Sequence, residues 1–431
     1  MITDKNNILH ATVTAGFSFT KALTKMMGTE FTYGRIQMRK LLLATAASAM
    51  FAGGVAAEEI KLGVIIGFTG PIESLTGPMA AGAELAMSEV STSGALLDGS
   101  TVVSVRGDST CIDSAAAMAV AERQITADKV NAIVGGDCSG VTGAILQNVA
   151  RPNGVVMISP SATSPALSTA EDDGLFFRTS PSDAREGQVM AEILMEKGIK
   201  SVALTYTNND YGKGLADAFA GAYEAMGGNI TINASHEDGK ADYSSEVGAL
   251  AAAGGDILVV AGYLDQGGAG IIRASLDSGA YDQFVLPGGM IGDNLPKVIG
   301  AELDGSFGQI AGNDSPGMGM YVTMGEGAGF DATSPYSAEA YDAAALIMLA
   351  MQSAGSSASA DLKDHIFTVA NAPGTKIYPG ELAKGLKILA DGGEVDYVGA
   401  SAVELIGAGE SAGNYREIVV ADGKNTTVGF R

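Results

Sequence analysis

Ala132-Ile133-Val134-Gly135-Gly136-Asp137-Cys138-Ser139-Gly140 and Val155-Val156-Met157-Ile158-Ser159-Pro160-Ser161-Ala162-Thr163-Ser164-Pro165 are the two stretches that decide the fold. In each, an apolar, strand-like run gives way at once to small, hydroxyl-rich residues. Open α/β sheets bind ligands in the loops that leave the carboxyl ends of their strands. Small residues there let the backbone approach a ligand, and hydroxyls can bond a carboxylate or an ammonium. The chain's only two cysteines, Cys111 and Cys138, belong to the same region.

Working outward, short β-rich runs alternate with helical stretches from Ile60 onward. Residues 60–66, 101–105, 132–134 and 155–158 read as strands, with helices over 78–90, 114–127 and 142–149 between them. This βαβαβ rhythm means a parallel sheet with helices on both faces. It restarts after Phe176-Phe177-Arg178-Thr179. Helices over 186–197, 214–226, 243–253 and 270–278 then alternate with strands over 201–206, 230–234, 256–261 and 283–287. The glycine- and methionine-rich stretch 312–329 reads as a loop beside a hinge. Long helix character returns over 338–351, and a strand follows at 417–420.

Met38-Arg39-Lys40, an apolar run from Leu41 to Val55, and the small residues Val55-Ala56-Ala57 have the order of a secretory signal peptide. The apolar run is shorter than the ~20 residues of a membrane span. Cleavage after about Ala57 leaves 374 residues with 20 basic and 47 acidic side chains. So acidic a chain lacks the basic face that nucleic acid requires, and it does not suit an anionic membrane surface. Disorder is the wrong reading, because 46% of the residues are hydrophobic and strongly patterned. The length exceeds one ordinary core, so two domains are expected. Two cysteines in an exported chain suggest one disulfide, with a pair of free buried thiols as the alternative. No metal or cofactor is expected: the exported chain has only His236 and His365, neither spaced for a metal with a cysteine. There is no G-x-S-x-G elbow and no phosphate-binding G-x-x-x-x-G-K-[ST] loop, and two histidines leave little for a Ser–His or Cys–His system. The chain reads as a binder, not an enzyme.

Taken together, the motifs resemble the periplasmic solute-binding proteins of the leucine/isoleucine/valine-binding type, receptor subunits of branched-chain amino acid ABC importers. The resemblance runs from about Ile60 to the C-terminus. It is carried by Thr69-Gly70-Pro71, the cysteine pair, Ser159–Pro165, Phe177-Arg178-Thr179, Asp210-Tyr211-Gly212-Lys213-Gly214 and Gly262-Tyr263. It implies the α/β fold of type I periplasmic binding proteins, two doubly wound parallel-sheet lobes joined by a three-strand hinge. Lobe 1 would hold 58–179 and 312–398, and lobe 2 would hold 180–311 and 399–431, with the last crossing near 398–403. Ser139 would bond a ligand carboxylate, and Thr163 with the backbone of Ser161 and Ala162 would grip carboxylate and ammonium. Tyr211 and Tyr263 would close over the ligand from the second lobe, and Asp183 would help hold that lobe closed. The plainer readings are helix caps for the hydroxyls, loop packing for the tyrosines and an N-cap for Asp183.

Two departures bear on the ligand. The family carries an acid after a late strand of the second lobe, against the ligand ammonium; here Phe284-Val285-Leu286-Pro287-Gly288-Gly289-Met290 puts Gly288 or Gly289 in that place. A buried ammonium without a charged partner is costly, so either another acid substitutes, with Asp137, Asp265 and Glu73 as candidates, or the ligand has no free ammonium. Leu75-Thr76 replaces an aromatic residue that shapes the family's side-chain pocket. The expected product is a monomeric periplasmic receptor that passes a small amino acid, or a related amide or carboxylate, to an ABC permease. A ligand-sensing module for a membrane signalling partner is the alternative, and a hydrolase using the same cleft a third. Intact mass of the exported protein should place its first residue at or next to Glu58; a mass that retains residues 1–57 would exclude the cleavage.

Overall fold

Strand β1 (Glu59–Ile66) is buried almost without alternation, from Leu62 to Ile66, as expected of a central parallel strand covered on both faces. It pairs in parallel with β2 (Thr101–Asp108) on one side and β3 (Ala132–Gly135) on the other. The sheet continues through β4 (Met157–Ser159) and β5 (Phe176–Pro181). The order β2-β1-β3-β4-β5 places a topological switch point between β1 and β3, where doubly wound sheets take their ligands. The computed structural model describes residues 57–431, so the expected signal segment up to residue 56 lies outside the described residues.

The second sheet repeats the plan. Its strands β6 (Ser201–Thr207), β7 (Asn229–His236), β8 (Ile257–Ala261), β9 (Phe284–Leu286) and β10 (Phe307–Ala311) run in the order β7-β6-β8-β9-β10. A two-stranded sheet of β11 (Thr375–Ile377) and β12 (Val395–Tyr397) stands apart. The first sheet is extended by β13 (Leu405–Ile406) and β14 (Glu410–Ser411), and the second by β15 (Tyr415–Ala421) and β16 (Lys424–Phe430). No helix among the described residues is long and apolar enough to cross a membrane.

Three segments pass between the sheets side by side. The first follows β5, where Ser182 caps the helix Asp183–Glu196 by accepting the Ala184 amide at 3.3 Å. The second follows β10. The third lies at 412–414, where Gly312 donates its amide to the Asn414 carbonyl at 3.0 Å. This corrects the expected last crossing near 398–403 and moves residues 399–411 from the second lobe to the first. The physical reason is Asp342, buried in the helix Ser337–Ala354. Its carboxylate accepts the Ala400 amide at 2.8 Å, the Ser401 amide at 2.7 Å and the Tyr397 hydroxyl at 2.7 Å, which pins that stretch to the first lobe.

A second correction concerns 312–329. Pro316–Ala328 is a helix, with Pro at its first turn and Gly329 in the left-handed conformation at its end, the ordinary punctuation of a helix. Its glycines depress helix propensity but serve close packing: a Cβ on Gly317 would lie 2.0 Å from the Gly399 carbonyl oxygen. The first helix, Glu73–Ser93, begins five residues earlier than the expected 78 and carries Pro78 inside it. It packs on Ser337–Ala354, which is buried continuously from Ser337 to Met351 and forms the centre of the first lobe's core.

Cys111 and Cys138 form a disulfide, with Cα atoms 5.1 Å apart and a sequence separation of 27. The bond joins the loop after β2 to the loop after β3, across the end of β1 that lies between them. Blocking thiols on the native, unreduced protein should label neither cysteine. Reduction should lower stability by about 3–4 kcal/mol on the chain-entropy model, read as a lower urea midpoint; labelling of both cysteines without reductant would remove the bond.

Candidate functional site

The loops that leave β1, β2 and β3 are drawn together by Asp137. Its buried carboxylate accepts the Gly67 amide at 2.7 Å and the Ser109 hydroxyl at 2.9 Å. Burial pushes this carboxyl up, and those two donors oppose the shift. At the end of β4, the Ser159 hydroxyl accepts the Ala162 amide at 2.9 Å and donates to the Gly136 carbonyl. Ser161 donates its hydroxyl to the Asp137 carbonyl at 3.0 Å, and Ser139 accepts the Ser164 amide at 3.0 Å. The two hydroxyl-rich loops read from the sequence are thus stitched into one surface.

Arg178, 1% exposed, supports that surface from below. Its Nη1 donates to the Ala162 and Ser164 carbonyls at 2.9 Å each, and its Nη2 bonds Ser168 and forms an ion pair with Glu410 on β14 at 2.5 Å. Ala162 therefore has its amide on Ser159 and its carbonyl on Arg178, and does not reach the cavity between the lobes.

The second lobe supplies the other wall. Asn209 caps the helix Asp210–Ala225 by accepting the Gly212 amide at 3.0 Å, which turns Tyr211 inward. Tyr263 follows β8, and the two rings stack at 5.2 Å with 18° between their planes. The Tyr211 hydroxyl accepts the Gly289 amide at 3.0 Å. A Cβ on Gly289 would come within 2.7 Å of that hydroxyl and 2.6 Å of the Gly262 carbonyl oxygen, so the site demands glycine there. Tyr336, with φ 61, holds a left-handed conformation unusual for a bulky residue and joins the wall. Burial pushes the Tyr211, Tyr263 and Tyr336 hydroxyls well above the ordinary phenol range, so all three are neutral.

Ile72, Leu75, Asp137, Cys138, Ser139, Ser161, Thr163, Tyr211, Tyr263, Gly289 and Tyr336 enclose a cavity of about 20 Å³, the room of a single water. A wider cleft of about 290 Å³, lined by Asp293, Lys297, Asp331 and Arg416, shares only Leu75 with it. None of the hydroxyl-bearing loops lines that cleft, so the smaller cavity is the better match to the chemistry. Asp265 clasps the lobes outside the cavity. Its carboxylate accepts the Ser74 amide at 2.9 Å, at the start of the first lobe's opening helix, and its own amide donates to the Pro71 carbonyl at 3.1 Å.

Of the residues singled out in the sequence, Asp137, Ser139, Ser161, Thr163, Tyr211 and Tyr263 meet around the cavity, whereas Ala162 and Asp183 stand behind its lining. Asp183 is not the N-cap, which is Ser182, but the first residue of the helix. None of the three acids considered as substitutes is free in the cavity: Asp137 and Asp265 are taken up as described, and Glu73 is exposed. Four contributors escaped the sequence reading. Ser159 and Arg178 were in quoted motifs without a role. Glu186 lies one helical turn beyond Asp183 and so shares its face, a pattern that could have been read. Tyr336 follows a long excursion of chain and left no local sign.

The family profile described as periplasmic binding protein matches residues 59–380. The Leu/Ile/Val/Thr-binding protein of Salmonella typhimurium is 29% identical over 267 residues, 62% of this chain and 72% of that protein. The leucine binding protein LivK of Thermotoga maritima superposes with a TM-score of 0.72 at 22% identity, over 86% of this chain and 98% of that one. A solute binding protein of an ABC transporter from R. palustris, in complex with 4-hydroxybenzoate, superposes at 0.69 with 21% identity, over 86% and 97%. At these identities the solved structures bear on the fold.

Asp265→Ala removes a charge-assisted bond between lobes, on the order of 1.5–3 kcal/mol. Small-angle scattering of the variant should show a larger radius of gyration than wild type; an equal radius and an equal melting midpoint would dismiss the clasp.

Proposed function

The chain belongs to the periplasmic binding protein family of solute-binding proteins, and from that membership we propose that it is the substrate-binding component of an ABC importer. It takes a small carboxylate-bearing solute, an amino acid of the branched-chain type or a related amide or carboxylate, between its lobes and hands it to a membrane permease. The observation that carries this reading is the cavity at the carboxyl ends of both parallel sheets, with Ser139, Ser161 and Thr163 on one wall and Tyr211 and Tyr263 on the other. Leucine, isoleucine, valine and 4-hydroxybenzoate, named for the relatives and neighbours above, have a carboxylate in common. The hydroxyls of one lobe suit that group, Ile72 and Leu75 suit an apolar remainder, and neutral phenols from the other lobe complete the enclosure with donors.

The cavity is too small for any of these solutes as the side chains stand, so entry requires the lobes to part and the clasp at Asp265 to break. Affinity then includes the free energy of that opening and of closing again on the solute. Crossing segments in three places allow this as a hinge motion.

A thermal-shift screen of residues 58–431 against amino acids, their amides and small carboxylates tests the reading. A solute at a hundred times its Kd adds about 2.7 kcal/mol, and the midpoint should rise by several degrees. Thr163→Ala should weaken the best solute by more than about 1 kcal/mol. No shift with any carboxylate overturns the assignment, and an unchanged affinity in Thr163→Ala removes that residue from the site.

A further inference from the structure

With 49 acidic residues against 26 basic ones in the chain, every arginine should find a carboxylate. Of the eight arginines among the described residues, seven form ion pairs and Arg416 does not. Arg416 stands on β15, opposite Ile310 of β10. Its stem lies against the second crossing, where a Cβ on Gly312 would come within 3.1 Å of its Cγ and Cδ. Its Nη2 donates to the Thr333 carbonyl at 3.4 Å, and its other donors have no acceptor among the described residues. The half-buried guanidinium lines the cleft of about 290 Å³, with Ser74 and Thr333 from the first lobe and Asn294 and Asn425 from the second. That volume is close to the ~300 Å³ at which ordinary ligand pockets begin.

The acids near Arg416 are engaged elsewhere. Burial works against its charge, and Glu339, Asp331 and Asp293 favour that charge from beyond ion-pair distance. Asp331 accepts the Thr333 amide at 2.9 Å and the Thr333 hydroxyl at 2.7 Å. Asp293 pairs with Lys297 at 3.7 Å. Burial pushes the Glu339 carboxyl up to about 7, so it is partly protonated at neutral pH. A guanidinium offers a planar fork of donors that fits a carboxylate with two parallel bonds, and here that fork opens on the cleft. One side chain, Leu75, separates the cleft from the small cavity, since it lines both. Leu75 belongs to the first lobe and meets the second at Gly292, where a Cβ would come within 2.8 Å of both Leu75 and Leu264. The partition is thus a contact between lobes, and it opens when they part.

We propose that the solute site continues past Leu75 into this cleft and that Arg416 seats a second anionic group there, so that the solute is an elongated molecule with an acid at each end. The proposal rests on reading the small cavity as the solute site. One carboxylate lies against the hydroxyls of Ser139, Ser161 and Thr163. The chain of the solute takes the place that Leu75 fills when the lobes are closed without it. The far carboxylate meets the guanidinium and supplies the counter-charge that Arg416 lacks. Because Arg416 follows the third crossing and the hydroxyl loops belong to the first lobe, a solute that reaches both ties the lobes together, whereas a short acid holds only one of them.

The test uses pairs of probes of equal carbon number on residues 58–431: glutarate beside pentanoate, adipate beside hexanoate, pimelate beside heptanoate, suberate beside octanoate, and L-2-aminoadipate beside L-norleucine. At least one diacid should bind about tenfold or more tightly than its partner, with an optimum of chain length, read by melting midpoint and then by titration calorimetry. Arg416→Gln should remove that advantage while leaving the affinity of the monoacid unchanged, and Thr163→Ala should weaken the same diacid. If a monoacid or norleucine matches its diacid at every length, or if the advantage survives Arg416→Gln, the proposal falls and the importer reading stands. If Arg416→Gln abolishes binding of the diacid and Thr163→Ala leaves it unchanged, the cleft is a separate anion site and the proposal falls as well. If no carboxylate of either kind moves the midpoint, both readings fall. Should Arg416→Gln not fold, the comparison of chain lengths on the wild-type protein, with Thr163→Ala, still decides.

Discussion

The guanidinium of Arg178 is the interaction on which the site depends. Arg178 lies on β5, the strand from which the chain first leaves for the second lobe. One face of it holds the Ala162 and Ser164 carbonyls, and with them the loop that carries Ser161 and Thr163. The other holds Glu410, the residue on the last strand of the first sheet before the chain crosses again. Breaking a buried pair of this kind by removing one partner typically costs about 3–5 kcal/mol, because the survivor is left charged and alone. The loop geometry and the hinge geometry are thus fixed by one group, and neither can shift without the other.

Much of the architecture was legible because parallel sheets write themselves plainly. Ala132–Val134 and Val155–Ile158 are continuous apolar runs, and small residues follow each at once. What escaped was non-local. The third crossing is set by Asp342, whose carboxylate gathers donors more than fifty positions away, and no window of sequence shows that. The helix Pro316–Ala328 was hidden by glycines that propensity counts against a helix, although packing against Gly399 requires one of them. Around the cavity, the placing of Ser139, Ser161, Thr163, Tyr211 and Tyr263 was readable from loop position. Tyr336 was not, since its place depends on how the second crossing delivers the chain. Ala162 and Asp183 stand behind the cavity lining, because the Ala162 amide and carbonyl go to Ser159 and Arg178 and Asp183 is a fully buried first residue of its helix.

The buried acids show how composition shapes the interior. With 49 acidic residues against 26 basic ones over the whole chain, cations are too few to serve every carboxylate. Most ion pairs here are exposed and contribute little each. Asp137, Asp265 and Asp342 are instead answered by backbone amides and hydroxyls, and each of them fastens loops that are distant in sequence. The acids have become the cross-ties of the fold, a use available because amides at loop and helix starts lack partners of their own.

The disulfide has a consequence in time as well as in space. It bridges the loops on either side of β1, and its second cysteine is the residue immediately before Ser139. Such a bond persists in oxidising surroundings and not in the reducing cytosol. For a chain that is exported, the half of the pocket carried by that loop is therefore fastened only after translocation. Until the two cysteines pair, the loop that carries Ser139 lacks its covalent tie to the loop after β2, and the wall it forms stays looser than in the finished fold.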